Sequence, residues 1–537
     1  MYPVMTRSPF RRAALAAVAA CAVLAGDPVA ADESLPFKQA VAEFAAGDDA
    51  VVAFYRDRDF APVWTDETEA AGARRRAAFA AFAGAADHGL PANAYDAAEI
   101  LSELRDVRGD RQRAEVEVQL TRAFLAYADD VGSGLLNPQS FEGIERSAPR
   151  RDHAELMRAF LAADPAEFVA GLPPRGADYA RLLAAKDDFA RTVALGGWGD
   201  RVPDGRKLQR GATGGRAAAL ARRLVAMGYL DGPAPEAFDA RVAQAVEQFQ
   251  ADHGLAVDGV AGPATLAAIN VPAEERLEAI LVALERERWL NLDRGRRHVW
   301  VNLTDFTAKI VDDGRVTFET RSVVGMDADD RRSPEFSDEM DHMVVNPTWY
   351  VPRSIVVNEY LPMLQRNPYA VPQLVLVGQS GKTYGRQGFD FRVWNAQTFP
   401  FAMREPPSQG NALGQVKFMF PNKHNIYLHD TPAKSLFAKS KRDFSHGCIR
   451  LADPFGFAHA ILERQSADPD GLFRSRLTTG RESRIDIEAP IPVHIVYRTA
   501  FTEARGRVQF RGDVYGRDAR IWSALSARGV SLDTVQG

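Results

Sequence analysis

The chain has 537 residues, and a typical size of roughly 150 residues per domain predicts three or four domains. Its 46% hydrophobic and 26% charged residues are typical of a water-soluble globular protein, which excludes disordered, collagen-like and polytopic membrane classes. The formal net charge of −5 supplies no basic field, so we expect no nucleic-acid partner.

The start of the chain, residues 1–31, has the pattern of a secretory signal peptide. Three arginines precede an apolar run over residues 13–25, and small residues before Asp32 offer a cleavage site. The run is shorter than the roughly 20 residues of a membrane span. We therefore expect an exported, periplasmic protein whose mature chain has no transmembrane span. Lipoprotein processing at Cys21 is the less favoured alternative.

Residues 32–200 are predicted to form a helical scaffold domain. This segment is rich in alanine, carries charged residues at helical spacing and has few β-branched runs. Glycine-containing segments at 88–91 and 132–134 predict turns between helices. No cluster of reactive side chains stands out, and we expect the aromatic residues to pack in a core.

A three-helix module is predicted over residues 206–272. One helix is indicated by apolar residues at i, i+3, i+4 and i+7: Val242, Ala245, Val246 and Phe249. An earlier helix ends near Gly228, and a third begins at Pro263, where proline suits a first helical turn. So small a unit has little room for a buried active site, so a binding or spacing role is expected.

The period then changes to strand alternation, which predicts a β-rich domain over residues 296–500. Val299, Val301 and Leu303 share one face of a strand, and further strands are predicted at 416–420, 426–429, 485–487 and 493–497. Residues 351–411 are punctuated by prolines and contain a helical pattern, so we expect an insert that lies over a groove. Residues 501–537 are expected to form a C-terminal extension, with a polar hairpin and sheet edge over residues 505–520.

The residues that point to chemistry lie near the end of the β-rich domain. Strand alternation places Tyr427 and His429 on the same face. The segment 445–450, Ser-His-Gly-Cys-Ile-Arg, then brings a hydroxyl, an imidazole, a thiol and a guanidinium within six residues. Cys448 is the one cysteine after the predicted signal peptide, so an internal disulfide is not available to it.

This combination predicts acyl transfer through a thioester. A thiol attacks a carbonyl as thiolate and needs a neighbouring imidazole or cation at neutral pH. Gly447 permits a tight turn that would aim the amides of Gly447 and Cys448 at an oxyanion. Arg450 projects to the same side as Cys448 and would bind a substrate carboxylate. Two less favoured interpretations are a buried structural cysteine and a zinc site of His429, His446 and Cys448, which lacks the usual paired-ligand spacing.

The spacing of His429 and residues 445–450 resembles the signature of the YkuD-type L,D-transpeptidases. The segments 345–349, 411–414 and 428–432 resemble the large multidomain branch of that family, and the module at 206–272 resembles peptidoglycan-binding three-helix domains. The resemblance implies a multidomain α + β protein: a helical scaffold, a peptidoglycan-binding-like module and a β-rich YkuD-type catalytic domain with a helical capping insert.

The resemblance also implies roles for the catalytic residues. Cys448 would be the nucleophile and His429 its base, oriented by the main-chain carbonyl of Asp430. His446 would shape the pocket, and amides over residues 446–448, including that of Gly447, would form the oxyanion site.

For substrate binding, the resemblance implies that Tyr427 and Arg450 contact the stem peptide. Ser445 would help to shape the pocket, and Trp349 with the insert would wall the groove. For each of these side chains the other interpretation is ordinary packing, solvation or a structural ion pair.

In the implied reaction the thiolate attacks the carbonyl of the third residue of a peptidoglycan stem, meso-diaminopimelate, and D-alanine is released. The acyl group then passes to an amine of a neighbouring stem, giving a 3-3 cross-link. The implied partners are donor and acceptor stem peptides, and carbapenem-type β-lactams as covalent inhibitors, with no metal or organic cofactor. Water as acceptor would instead give an L,D-carboxypeptidase. A non-catalytic peptidoglycan-binding scaffold is the alternative from another class.

Overall fold

The computed structural model describes residues 33–503 and 506–532. The predicted signal peptide and Cys21 lie outside the described residues. Among the helices that are described, none is long and apolar enough to cross a membrane.

The N-terminal part is helical, as predicted. Its helices are α1 (Leu35–Ala45), α2 (Asp49–Asp57), α3 (Glu69–Ala83), α4 (Ala97–Asp106), α5 (Asp110–Ser133), α6 (His153–Ala162), α7 (Pro165–Ala170) and α8 (Ala177–Ala194). Five of them begin at a side chain that accepts a hydrogen bond from a first-turn amide: Ser34, Asp48, Thr68, Asp152 and Asp164. Trp64, Phe124 and Phe160 pack together in the core with centroids 4.4–5.5 Å apart.

The predicted three-helix module consists of α9 (Gly215–Ala226), α10 (Ala240–Asp252) and α11 (Pro263–Ile269). The apolar stripe on α10 is buried, as expected, and packs against Leu220 and Leu224 of α9. Pro263 is the first residue of α11, so the predicted helix start is confirmed.

Helix α12 (Ala273–Trp289) connects this module to the β-rich domain and is buried along its second half. Four consecutive charged residues on it, Glu285, Arg286, Glu287 and Arg288, are only 0–4% exposed. Arg286 pairs with Glu335 at 2.7 Å and with Asp518 at 2.7 Å, Arg288 pairs with Glu285, and Glu287 pairs with Arg294 and Arg498, so each buried charge has an opposite partner. Because Glu335 and Asp518 come from distant parts of the chain, these pairs tie the helical part to the β-rich part.

The strands are β1 (Arg297–Asn302), β2 (Thr307–Asp312), β3 (Arg315–Gly325), β4 (Phe336–Val345), β5 (Trp349–Tyr350), β6 (Val375–Val377), β7 (Thr383–Tyr384), β8 (Ala402–Glu405), β9 (Val416–Met419), β10 (Leu428–His429), β11 (Asp443–Ser445), β12 (Ile449–Leu451), β13 (Ser483–Val496), β14 (Ala500–Thr502) and β15 (Val508–Phe510). The remaining helices are α13 (Arg353–Ile355), α14 (Leu361–Arg366), α15 (Pro454–Leu462), α16 (Pro469–Leu477) and α17 (Arg517–Ala527).

Nine strands form the main sheet, in the order β11-β3-β12-β10-β9-β4-β13-β1-β2. Because β2 also pairs with β3, the sheet closes on itself and β11 is added beside β3. Alternate side chains of these strands point inward into one apolar core, which includes Val299, Val301 and Leu428. The two runs at 485–487 and 493–497, seen in the sequence as separate strands, belong to the single long strand β13 with an irregularity between Asp486 and Ile491.

The insert after β4 has a hydrophobic core of its own, which includes Phe391, Phe399 and Met403. Its strands form a second sheet in the order β5-β8-β6-β7. The predicted helix is present as α13, a π-helical turn at Val356–Tyr360 and α14.

The C-terminal segment does not stand apart from the rest of the fold. The hairpin predicted over 505–520 is misplaced: β14, before that segment, pairs with β15, and the chain then turns into α17, which the sequence did not lead us to expect. Phe510, Ile521 and Leu525 from this segment are buried in the same core as α5 and α12. The end of the chain therefore completes the core of the helical part.

Candidate active site

Three neighbouring strands build the floor of the site. His429 on β10 lies opposite Arg450 on the parallel strand β12 and opposite Lys417 on the antiparallel strand β9. Because side chains alternate along a strand, Tyr427 shares the face of His429, and Cys448 shares the face of Arg450. The rings of Tyr427 and His429 lie 5.7 Å apart, which agrees with this placement.

A cavity of about 760 Å³ opens above this face. Seven of the eight residues singled out in the sequence line it: Trp349, Tyr427, His429, Ser445, His446, Cys448 and Arg450. Gly447 borders a neighbouring cavity on the other side of the loop. The fold therefore brings together side chains that are up to 101 positions apart in the sequence.

The thiol of Cys448 is half-buried, and its sulfur lies 3.5 Å from the carbonyl oxygen of Asn425. Burial raises the pKa of this thiol to about 11, although the amide and hydroxyl of Tyr427 and the cations Arg450 and Lys417 act in the opposite direction. At neutral pH the resting residue is consequently a protonated thiol. Tyr427 is itself held protonated, because burial and then the nearby sulfur raise its pKa.

The imidazole of His429 is buried, and its Nδ1 lies 2.5 Å from the carbonyl oxygen of Asp430. Burial, followed by the charge of Arg450, lowers the pKa of His429 to about 3, so the ring is neutral at neutral pH. The carbonyl can only accept a hydrogen bond, which assigns the ring proton to Nδ1 and leaves the lone pair of Nε2 available to accept a proton.

The loop around Asp430 fixes the position of this carbonyl. The carboxylate of Asp430 accepts hydrogen bonds from the amides of Gln415 and Thr431 at 2.9 and 2.7 Å, and from Lys434 at 2.6 Å. Gly414 has a φ of +61°, and a Cβ placed on it would lie 2.3 Å from the Asp430 carboxyl carbon. A side chain at position 414 would thus displace the group that orients His429.

Ser445 and Gly447 shape the loop that carries Cys448. Gly447 has a φ of +110°, its amide donates to Ser445 Oγ at 3.1 Å, and Ser445 Oγ donates to the Cys448 carbonyl at 2.5 Å. Ser333 Oγ donates to the Gly447 carbonyl at 2.6 Å. The Gly447 amide, expected at the oxyanion site, is therefore engaged within the loop, and Ser445 serves the loop's own conformation.

The capping insert contacts this loop through one carboxylate. Glu359, in the π-helical turn, accepts hydrogen bonds from His446 Nε2 at 2.7 Å and from Arg331 at 2.9 Å. His446 is about one-third exposed and reaches the insert instead of the sulfur. The sequence did not identify Glu359 or Arg331, because the contact joins two segments with no shared local pattern.

Trp349 lies at the base of the insert, where β5 pairs with β8. Its indole, which can only donate, interacts with the Tyr427 side chain and acts to lower the pKa of that residue. Its ring also lies at right angles to that of Tyr360, with centroids 6.4 Å apart. Trp349 thus joins the wall of the cavity to the residue that faces the sulfur.

Lys417 was missed by the sequence analysis, although the strand that carries it was predicted. It lines the cavity and lies 5.5 Å from the centre of the Tyr427 ring. The alternation over residues 416–420 predicted the strand that contains Lys417, but it did not predict which strands lie beside it. Its position opposite His429 depends on pairing between β9 and β10.

Within the described part of the chain, no group of three or more histidine, cysteine, aspartate or glutamate side chains is arranged to hold a metal ion. The three residues weighed as zinc ligands do not form such a group. His446 is turned to Glu359 and His429 to the Asp430 carbonyl.

Comparison with protein families agrees with this architecture. Residues 296–469 match the family model described as "L,D-transpeptidase catalytic domain" (YkuD), residues 213–269 match "Putative peptidoglycan binding domain", and residues 49–185 match "Scaffold domain". The chain therefore contains a YkuD-type L,D-transpeptidase catalytic domain, a peptidoglycan-binding domain and a scaffold domain. The resemblance seen in the sequence and the predicted fold class are both confirmed.

A curated relative, "Putative L,D-transpeptidase" of Haemophilus influenzae, is 29% identical over 229 residues. The alignment covers 42% of this chain and 45% of the relative, so it spans less than half the length of that protein.

Two solved structures are also similar. The L,D-transpeptidase (residues 123–326) of Xylanimonas cellulosilytica is 17% identical, with 55% of this chain and 99% of that chain covered and a TM-score of 0.17. The L,D-transpeptidase (Yku) of Stackebrandtia nassauensis is 14% identical, with 56% and 97% covered and a TM-score of 0.21. Scores this low reflect a poor superposition, and no functional argument follows from them.

Proposed function

We propose that the protein is a cysteine-dependent L,D-transpeptidase that acts on peptidoglycan in the periplasm. It cleaves a stem tetrapeptide after residue 3, releases D-alanine and forms a 3-3 cross-link through a thioester. The observation that carries the proposal is the convergence of Cys448 and His429, with Tyr427 and Arg450, on one cavity floor. Their chemistry matches acyl transfer, and the cavity is large enough for a peptide.

In the first half-reaction His429 Nε2 accepts the thiol proton as the sulfur of Cys448 bonds to the carbonyl carbon of residue 3. The amides of His446 and Cys448 are the proposed donors to the resulting oxyanion. When the carbon–nitrogen bond breaks, the proton on His429 passes to the leaving nitrogen, and free D-alanine departs.

In the second half-reaction an amine of another stem peptide attacks the thioester carbonyl. His429 takes a proton from this amine as the new amide forms, and the proton returns to the sulfur of Cys448 as it leaves. No oxidant, reductant or cofactor enters either half-reaction.

The electrostatics of the resting site support a proton transfer that accompanies attack. A thiol with a pKa of about 11 does not donate its proton to an imidazole with a pKa of about 3 before the substrate arrives. When a substrate carboxylate binds Arg450, it offsets a positive charge that keeps the pKa of His429 low. Binding of the correct substrate would thus make His429 a stronger base.

The test is incubation of the purified protein with tetrapeptide muropeptides, followed by mass spectrometry of the products. Cys448→Ala and His429→Ala should each lose D-alanine release, and Cys448→Ala should also lose the mass increase on acylation by a carbapenem. His459→Ala is the matched control, because His459 is exposed on α15 and pairs with Asp470. Full activity of Cys448→Ala would refute the proposal.

The same products separate the two alternatives. Tripeptide without cross-linked dimer would indicate an L,D-carboxypeptidase that uses water. Binding to sacculi with an unchanged muropeptide profile would indicate a non-catalytic scaffold.

A further inference from the structure

Two cations flank the imidazole on the floor of the cavity. Lys417, His429 and Arg450 form one row across β9, β10 and β12, because His429 is opposite each of the other two. Tyr427 and Cys448 lie one step along the same face. Lys417 and Arg450 are both half-buried and both line the cavity.

Neither cation has an anionic partner in the described part of the chain. Arg450 Nε is buried without a hydrogen-bond partner, and among the residues described no salt bridge joins Lys417 or Arg450 to a carboxylate. Glu482 acts on Lys417 through its charge, but it is exposed and accepts a hydrogen bond from the Thr348 amide. Keeping two unpaired cations partly buried costs free energy, which an anionic ligand would offset.

The order of the side chains gives the direction of a bound peptide. Cys448 directly precedes β12, His429 is on the next strand β10, and Lys417 is on the strand after that, β9. The carbonyl under attack must lie over the sulfur, and the leaving nitrogen must lie within reach of the imidazole that protonates it. The atoms that follow this nitrogen in the leaving residue then lie toward Lys417.

We propose that Lys417 binds the free α-carboxylate of the leaving D-residue, and so restricts the donor to stems that end one residue after the scissile bond. Arg450, beside Cys448, is left to bind a carboxylate of the acyl part of the donor. This inference rests on the proposed function and adds the reason for its substrate class. A stem with a fifth residue has an uncharged amide where the tetrapeptide has this carboxylate, so Lys417 would discriminate against it.

The experiment compares three donors: the tetrapeptide, its C-terminal amide and the pentapeptide. The measured quantity is kcat/KM for cleavage after residue 3. This cleavage releases the fourth residue from the tetrapeptide and from its amide, and the fourth and fifth residues together from the pentapeptide. Wild-type protein should prefer the tetrapeptide to its amide by about 10- to 100-fold, the range expected for hydrogen bonds to charged groups. Lys417→Met should lose about this factor on the tetrapeptide and change little on the amide or the pentapeptide. Lys417→Arg, which keeps the charge, should retain most of the preference.

Lys423→Met is the matched control, because Lys423 is an exposed lysine that pairs with Glu145 outside this row. Thermal melting shows whether each variant is folded. If Lys417→Met lowers kcat/KM equally on tetrapeptide and amide, or keeps the wild-type preference, the inference is wrong while the proposed function stands. If wild-type protein releases D-alanine from none of the donors, the proposed function itself fails.

Discussion

The protonation state of Cys448 gives a sharp prediction about its reactivity. With a pKa of about 11, the thiol should resist alkylation at pH 8, where an ordinary cysteine reacts readily. About 0.1% of such a thiol is ionised at that pH, compared with about a quarter of a thiol whose pKa is about 8.5. Since the thiolate is the reacting form, iodoacetamide should modify Cys448 roughly 200-fold more slowly than a free cysteine.

Tyr427→Phe tests the physical origin of this value. The variant removes a hydroxyl whose interaction with the sulfur lowers the pKa of Cys448, so this pKa should rise further and alkylation at pH 8 should slow by about tenfold, the effect of one hydrogen bond to a charged group. Tyr369→Phe is a suitable control, since Tyr369 is 63% exposed in the insert.

The assay is the rate of alkylation between pH 6 and pH 11, followed by mass spectrometry of the peptide that contains Cys448. We expect the rate to rise throughout this range. A rate that reaches its plateau near pH 7 would show a resting thiolate–imidazolium pair, and would refute the argument that burial dominates the electrostatics of the site.

Two further predictions concern the insert and acid stability. Glu359→Gln removes the charge that links the insert to His446 and Arg331. Because the side chains in these pairs are about 30% exposed, we expect a melting temperature within a few degrees of wild type. KM should rise several-fold with kcat little changed, and a loss of kcat at constant KM would contradict this prediction. Burial lowers the pKa of four histidines to about 3 or about 4: His429 and His494, which are buried, and His88 and His253, which are half-buried. These residues favour folding above pH 6.5, where the unfolded chain also leaves them neutral. As the pH falls from 7 to 5, these histidines bind protons in the unfolded chain but not in the folded chain. The free energy of unfolding then falls by about 2 kcal/mol for each histidine. Burial raises the pKa of Asp130 and Asp518 to about 6, so these two residues increase the free energy of unfolding by about 1 kcal/mol each over the same pH change. The urea midpoint should therefore still fall. An unchanged midpoint at pH 5 would show that the four histidines are not shielded from protons in the folded chain.

The role of Ser445 shows how far a local motif can be interpreted. The segment 445–450 predicted that hydroxyl, imidazole, thiol and guanidinium would meet, and they line one cavity. The motif did not show that the Ser445 hydroxyl is used inside the loop, or that His446 contacts the insert. Those partners are set by the turn at Gly447 and by a segment almost 90 residues earlier in the chain.

The sequence by itself determined the features that depend on short-range patterns. Helical and strand periodicities predicted the helices of the N-terminal part and the strand that carries His429, and the spacing of the motif at 429–450 indicated the YkuD-type domain family. Each of these signals is contained within about twenty residues, so no knowledge of distant contacts was needed.

Only the tertiary structure decided which groups are buried together. The Glu-Arg-Glu-Arg run on α12 has the composition of a solvated helix face, but the fold buries it and supplies Glu335 and Asp518 as partners of Arg286 and Arg498 as a partner of Glu287. Lys417 likewise becomes part of the site only because β9 pairs with β10. Burial and electrostatic environment depend on neighbours that are far apart along the chain, and a local pattern contains no information about them.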